Sequence, residues 1–204
     1  MKRLLEYPEV YNFYQRFIGA DKYLKRFSDT FLNNKEYKNI LDIGCGTSNV
    51  LNFYLSNKNT ENTNYLGIDC SQKYINYCKR KYPKFQFINQ SVCRKTDIDT
   101  VFDLVISMGV MAALSDENLK KMFSVICSKS NKNTKIILAD MNYRTDVKGL
   151  EKFLYKNERN SFLRNEQDYR NIISQFFNID NVHYWDKVYH IPYSKIIFEC
   201  SIKD

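Results

Sequence analysis

Glycine and proline are scarce in this chain, with six glycines and three prolines among 204 residues. That excludes collagen-like sequence and Pro/Gly-rich linker or disordered sequence, and no repeat or low-complexity block replaces them. Histidine is scarcer still: His183 and His190 are the only two. None of the six cysteines (Cys45, Cys70, Cys78, Cys93, Cys127 and Cys200) forms a Cys-x-x-Cys pair. With so few histidines beside them, the ligand spacing of a zinc site is missing and no metal is expected. The cysteines read as reduced, buried thiols. No apolar run is long enough to span a bilayer, and Met1-Lys2-Arg3-Leu4-Leu5-Glu6-Tyr7-Pro8 lacks the apolar stretch of a secretion signal. The expectation is a soluble cytoplasmic protein without a membrane partner.

What is present is ordinary for a globular protein: 44% hydrophobic and 26% charged residues. The length suits one domain and a core that needs no disulfide or metal staple. The formal charge of +8 raises the question of nucleic acid. The basic residues are scattered, however, and the densest runs, Lys79-Arg80-Lys81 and Lys120-Lys121, fall on the exposed sides of helical patterns. Lys, Asn, Ile and Tyr are abundant throughout, a bias that an AT-rich genome would encode. A nucleic-acid partner is therefore not favoured.

Short apolar segments alternate with longer amphipathic ones. Asn39–Ile43, Tyr65–Asp69, Phe85–Asn89, Phe102–Ser107 and Lys135–Met141 are apolar on successive residues, which marks strands covered on both faces of a parallel sheet. Between them, Leu119, Met122, Phe123 and Ile126 follow helical spacing, as do Tyr74, Ile75 and Cys78. Ser71 and Ser115 stand where they would cap those helices, with Asn118 at the third position after Ser115. Two extended runs, 176–188 and 192–202, predict a C-terminal hairpin around His190-Ile191-Pro192, one strand of it antiparallel. Tyr7 to Asn33 reads as an aromatic-rich helical flap over the open end of the sheet. The fold class expected is α/β, a doubly wound, mostly parallel seven-stranded sheet.

In such a sheet ligands bind beyond the carboxyl ends of the strands. The first strand runs into Asp42-Ile43-Gly44-Cys45-Gly46-Thr47-Ser48-Asn49. Gly44 and Gly46 permit a tight turn and close approach of a ligand, and a helix opening near Ser48 offers unpaired N–H groups. No Lys follows in the Walker A position, so a P-loop is not expected. Asp42 would repel a pyrophosphate and attract a cation. The second strand ends at Asp69, 23 residues past Gly46, where a carboxylate can accept both hydroxyls of a ribose. A nicotinamide-cofactor enzyme would use an acid in the same way, and Asp69 also suits a plain cap for the next helix.

Leu41-Asp42-Ile43-Gly44-Cys45-Gly46, Leu66-Gly67-Ile68-Asp69 and Phe102-Asp103-Leu104-Val105-Ile106-Ser107-Met108-Gly109-Val110 resemble, in order and spacing, the class I S-adenosylmethionine-dependent methyltransferases. The resemblance covers about residues 37–141. It implies S-adenosylmethionine as cofactor, with Asp42, Gly44, Cys45 and Gly46 at its methionine end, Asp69 at the ribose, and Cys70, Gln90 and Ser91 near the adenine. Ser107 and Met108 would lie near the transferring methyl. It divides the chain into an N-terminal helical cap (1–36), a cofactor-binding core (37–141) and substrate-side helices with the terminal hairpin (142–204).

The sequence departs from the family pattern at three points. Ser48 replaces a third glycine, Asn89-Gln90-Ser91 replaces an adenine-contacting aspartate, and Met111-Ala112-Ala113 stands where many relatives carry histidine. The segments 10–19 and 191–194 look like small bacterial methyltransferases of sugar and surface-glycan pathways, which would place Tyr14 and Gln15 at the cofactor's amino-acid end.

Asp140, at the end of the fifth strand, and His190 and Tyr193, at the hairpin turn, are the candidates for catalytic or acceptor contacts, with an exposed turn residue as the bland reading of His190. The Asn/Asp-Pro-Pro-aromatic motif of amino-methylating nucleic-acid enzymes is absent, and so is a Pro-Cys or Thr-Cys nucleophile. The expected acceptor is a small molecule methylated at O or N. RNA or protein methylation, and a non-catalytic cofactor-binding subunit, stay open, as does the oligomeric state.

Overall fold

The computed structural model describes residues 4–33, 35–55, 62–95, 97–143, 162–186, 189–190 and 194–203. Two helices lead: α1 (Pro8–Phe17) and α2 (Ala20–Phe27), the latter continuing into a π-helical turn at Ser28–Leu32. The core then alternates β1 (Asn39–Ile43), α3 (Leu51–Tyr54), β2 (Asn64–Asp69), α4 (Gln72–Lys81), β3 (Gln86–Asn89), β4 (Leu104–Met108), α5 (Asp116–Ser128) and β5 (Lys135–Met141). After residue 161 come α6 (Glu166–Ile173), β6 (Phe177–Trp185) and β7 (Lys195–Ile202).

These seven strands form one sheet in the order β3-β2-β1-β4-β5-β7-β6. β1 to β5 are mutually parallel, β7 is antiparallel to β5, and β6 is antiparallel to β7. Only β7 runs against the rest, as the hairpin pattern predicts. The seven-stranded doubly wound sheet agrees with the sequence-based expectation.

Apolar runs in the central strands feed both faces because successive side chains point oppositely. Ile40, Leu104, Ile106, Ile137 and Ile197 join Phe27, Phe31, Tyr54 and Ile75 in one buried layer. Leu41, Val105, Ile136, Leu138 and Phe198 join Met122, Phe123, Ile126 and Tyr169 in the other. α2, α3 and α4 cover the first face, and α5 and α6 the second. Burying one such Leu, Ile or Phe side chain contributes about 1.5–3 kcal/mol, so two filled layers fix the strands that carry the site. Ser71 and Ser115 cap α4 and α5 as expected, accepting the N–H of Tyr74 and Asn118. Among the described residues no helix is long and apolar enough to cross a membrane.

β1 lies between β2 and β4, and the chain crosses to the other face in passing from β3 to β4. This is the switch point of the sheet, where the general rule for open α/β sheets places a ligand, beyond the carboxyl ends of β1, β2 and β4.

Candidate functional site

At the switch point β1 leaves the sheet through a loop of left-handed residues. Gly44 has φ +73°, Gly46 φ +55° and Ser48 φ +50°. The N–H groups of Gly44 and Cys45 both donate to the Ile68 carbonyl, at 2.8 and 3.0 Å, which turns the chain over the end of β2. The two glycines serve different needs. A Cβ on Gly44 would stand 2.2 Å from Val110 Cγ2, whereas a Cβ on Gly46 would meet nothing within 4 Å. Gly44 admits a neighbouring side chain, and Gly46 faces open space. Ser48 occupies a conformation that ordinarily favours glycine. Its hydroxyl accepts from Tyr65 at 3.4 Å and lies 3.6 Å from the Cys78 thiol.

Two carboxylates flank the loop. Asp69 Oδ2 accepts the Gly46 N–H at 2.9 Å, and Oδ1 accepts the Ser71 N–H at 2.8 Å. It therefore braces the glycine loop and the start of α4 together. Asp42 is 1% exposed and accepts the Tyr65 hydroxyl. Burial pushes its carboxyl up to about 7, the Tyr65 hydrogen bond pulls it down, and Asp69 pushes it up. A cation arriving beside Asp42 would restore its charge. Cys45 is buried in the loop, and Cys70, just past Asp69, is exposed.

The helical flap closes on this loop. Asn12 Oδ1 accepts from Thr47 Oγ1 at 2.8 Å and from Asn49 Nδ2 at 2.7 Å. Tyr11 packs on Tyr74 of α4 with ring centroids 5.4 Å apart, and Tyr14 and Gln15 are half-buried on the same helix. At the end of β4, Ser107 is wholly buried and its hydroxyl has no hydrogen-bond partner, while Met108 is half-buried. Gly109, φ +72°, follows with open space where a Cβ would stand. Beyond β3, Gln90 turns its amide back onto the carbonyls of Arg94 and Lys95, and Ser91 is exposed, its hydroxyl accepting the Cys93 N–H.

The candidates on the acceptor side are placed differently. Asp140 is fully buried: Oδ2 accepts the Ala112 N–H at 3.0 Å and Oδ1 the Met141 N–H at 2.7 Å. Burial raises its carboxyl, and Lys195 and the backbone donors lower it. It holds the Met111–Ala113 turn from one side. Arg164, 5% exposed, holds the same segment from the other, donating to the carbonyls of Met111 and Leu114 at 2.8 and 2.7 Å and pairing with Asp116 at 2.6 Å. His190 is exposed; its N–H donates to the Ile18 carbonyl at 2.8 Å, and its ring fills the space beside Gly19. Tyr193 lies outside the described residues.

The structure thus gathers Asp42, Gly44, Cys45, Gly46 and Asp69 into one loop system, with Ser107 and Met108 on the strand next to it. Asn12, Tyr65 and Arg164 were not singled out as site residues: Asn12 lies inside the 10–19 segment and Tyr65 opens the second strand run, while nothing in the sequence marks Arg164. Two surface depressions, of about 410 Å³ around Lys135 and Glu199 and about 430 Å³ around Phe85 and Phe87, lie away from the glycine loop. The loop contacts, which converge from four elements, define the site better than surface concavity does. Among the described residues no group of three or more His, Cys, Asp or Glu could hold a metal ion.

Residues 40–132 match the Methyltransferase domain family. An uncharacterized methyltransferase of Bacillus cytotoxicus is 26% identical over 136 residues, 67% of this chain and 57% of that protein. This chain therefore matches little more than half the length of that relative. Among solved structures, a TehB-like S-adenosylmethionine-dependent methyltransferase from Corynebacterium glutamicum superposes with a TM-score of 0.68 at 17% identity, covering 96% of this chain and 98% of that one. Magnesium protoporphyrin IX methyltransferase of Synechocystis, solved with bound S-adenosylhomocysteine, gives 0.66 at 18% identity, covering 91% and 84%.

Proposed function

We propose that this chain, whose residues 40–132 match the Methyltransferase domain family and whose fold is that of S-adenosylmethionine-dependent methyltransferases, transfers a methyl group from S-adenosylmethionine to a small-molecule acceptor. The observation that carries the reading is the loop joining β1 to β2 through Asp69: a carboxylate tied to the Gly46 N–H at 2.9 Å, beside a glycine that faces open space. The sulfonium of that cofactor supplies an electrophilic methyl whose departure leaves a neutral thioether.

The residues present fit such a ligand. The buried Ser107 hydroxyl lacks a partner in this protein and is available to a ligand's polar group. Asp42 offers negative charge to the amino-acid end, Asp69 accepts from the ribose hydroxyls, and Gly46 lets the backbone come close. Asn12 ties the flap down over the loop, which excludes water and orders the reactants. Asp140 and Arg164 fix the turn after β4, where the acceptor would sit. Asp140 is already committed to two backbone donors, so it acts here by shaping the turn.

A small-molecule acceptor, with an O or N atom of a sugar or related metabolite as the favoured target, is supported by the absence of the nucleic-acid amino-methylation motif and by the scattered basic charge. Magnesium protoporphyrin IX methyltransferase shows the same fold serving a small acceptor. An unprotonated amine needs no base, so the lack of histidine after β4 is compatible with activity.

The test has two stages. Calorimetry with S-adenosylhomocysteine should give binding to the natural chain and at least a tenfold loss in Asp69→Ala with the fold intact; absence of heat in the natural chain would refute the cofactor assignment. Radiolabelled methyl transfer into nucleotide-sugar pools, total RNA and protein should then label the small molecules, and predominant labelling of RNA or protein would overturn the acceptor class.

A further inference from the structure

α1 has two faces. Asn12 and Tyr11 reach the glycine loop and α4, and Pro8 and Ile18 are buried on the same side. At about 100° per residue, Val10, Phe13 and Phe17 form a stripe on the opposite side at i, i+3 and i+7. They are 39%, 72% and 73% exposed. Two exposed phenylalanines on one surface helix mark an interaction surface.

The charges beside the stripe select its partner. Glu9 and Arg16 are both exposed and stand seven residues apart, so they flank the stripe on the same side, one near each end. In an antiparallel pair of identical helices, like flanks face each other. A two-fold axis across α1 therefore sets Glu9 of each copy against Arg16 of the other, stacks the two Phe13 side chains about the axis and sets Phe17 of each copy against Val10 of the other. The contact Arg16 makes within the chain, to Asp21 at 4.0 Å with both side chains exposed, is weak and can give way. A membrane surface would call for basic residues along the flank, and here one is acidic. With aromatic side chains of about 150–250 Å² each exposed to 72% and 73%, the patch offers roughly 350 Å² per copy, the scale of a weak, transient contact rather than an obligate one.

We propose that this face of α1 is the interface of a weak, reversible two-fold dimer. Because the inner face of the same helix holds the glycine loop through Asn12, dimerisation pins the flap and makes cofactor-product affinity rise with protein concentration.

Sedimentation equilibrium of the unsubstituted 204-residue chain over a wide concentration range tests this. A monomer–dimer equilibrium is expected, weakened at least tenfold by Phe13→Glu. Glu9→Arg alone and Arg16→Glu alone should each weaken it, and the double reversal should restore it. Since these side chains point away from the glycine loop, S-adenosylhomocysteine binding under dilute, monomeric conditions should stay unchanged and reports that the variants are folded. A natural chain that stays monomeric throughout overturns the proposal, as does one that stays monomeric but co-sediments with anionic vesicles. A dimer indifferent to Phe13→Glu, or a double reversal that fails to restore pairing, overturns it as well.

Discussion

Replacing Gly44 and Gly46 one at a time by alanine should produce two different failures, because the glycines differ in what surrounds them. Both sit at positive φ, where an L side chain costs about 1–2 kcal/mol. For Gly46→Ala that strain is the whole stability cost, since the new methyl meets nothing within 4 Å. For Gly44→Ala the methyl also lands 2.2 Å from Val110 Cγ2. Valine is β-branched and stiff about χ1, so the turn or the side chain must move, and overpacking of this kind adds roughly 1–3 kcal/mol. Gly44→Ala should therefore lose about 2–5 kcal/mol and Gly46→Ala about 1–2 kcal/mol in urea unfolding. The order reverses for ligand binding. The Gly46 methyl projects into the space assigned to the cofactor and should weaken S-adenosylhomocysteine at least about tenfold, or ~1.4 kcal/mol, by calorimetry. Val110→Ala should recover part of the stability lost by Gly44→Ala and none of that lost by Gly46→Ala, a coupling expected only of side chains in contact. Equal destabilisation by the two alanines, together with undiminished binding by Gly46→Ala, would show that Gly46 does not face the ligand and would remove the main support for the site.

Other parts of the structure give further tests. Asp42 holds its proton up to about pH 7 in the folded chain, against about 3.9 when unfolded. The native state then binds the extra proton between those values, so stability is fully present below about pH 4 and falls as pH rises toward 7, by on the order of 4 kcal/mol at most. Urea midpoints across that window should fall less steeply for Asp42→Asn, and a slope equal to that of the natural chain would contradict the assignment. Arg164→Ala strands the carbonyls of Met111 and Leu114 and unpairs Asp116; a loss of about 2–4 kcal/mol in chemical denaturation is expected, and a loss below about 1 kcal/mol would mean the clamp is dispensable. Ser48→Gly should be better tolerated than Ser48→Ala, since glycine relieves the left-handed strain and alanine keeps the strain while losing the hydroxyl; thermal unfolding with the order reversed would refute the strain argument. Asn12→Ala should speed hydrogen exchange of α1 while leaving the global unfolding midpoint nearly unchanged, and unaltered exchange would mean that the flap is held without it.

The sheet was legible because parallel strands announce themselves. Asn39–Ile43 and Lys135–Met141 agree with β1 and β5 to the residue, since both are apolar on consecutive positions and bounded by polar ones. β4 starts at Leu104, two residues after the apolar run does. Phe102 belongs to the core but precedes the strand, its carbonyl accepting from Thr134 Oγ1. Burial and strand pairing are separate properties that the hydrophobic pattern merges. The glycine loop was legible for a related reason: positive φ restricts residue choice at Gly44 and Gly46, and Asp69 was placed by the end of the second strand pattern. Ser48 shows where that logic stops. A serine in place of the third glycine reads as a departure, yet the backbone keeps the left-handed conformation, held by Tyr65 and Cys78 through the serine hydroxyl.

Asp140 marks the deeper limit of sequence reading. Its place at the end of β5 was readable from the strand pattern, and a strand-end acid in this kind of sheet points toward a ligand. The residue does lie there, but with both oxygens turned to the N–H groups of Ala112 and Met141 and no exposure to solvent. What decides between a base and a brace is whether the loop after β4 folds back far enough to offer its N–H groups. That path depends on Arg164, about fifty positions further along the chain, which binds the carbonyls of the same turn. A turn held by a buried carboxylate on one side and a buried guanidinium on the other has little freedom, so the small side chains of Ala112 and Ala113 do not loosen it. The shape of the turn after β4 is therefore set by two charged residues, Asp140 and Arg164, that bind its backbone, with Asp116 pairing Arg164. Exchanging Asp140 for asparagine should accordingly disturb the Met111–Ala113 turn, seen as faster amide exchange of Ala112, rather than abolish a proton-transfer step; a pH–rate profile that loses one limb while Ala112 stays protected would show instead that Asp140 is a base.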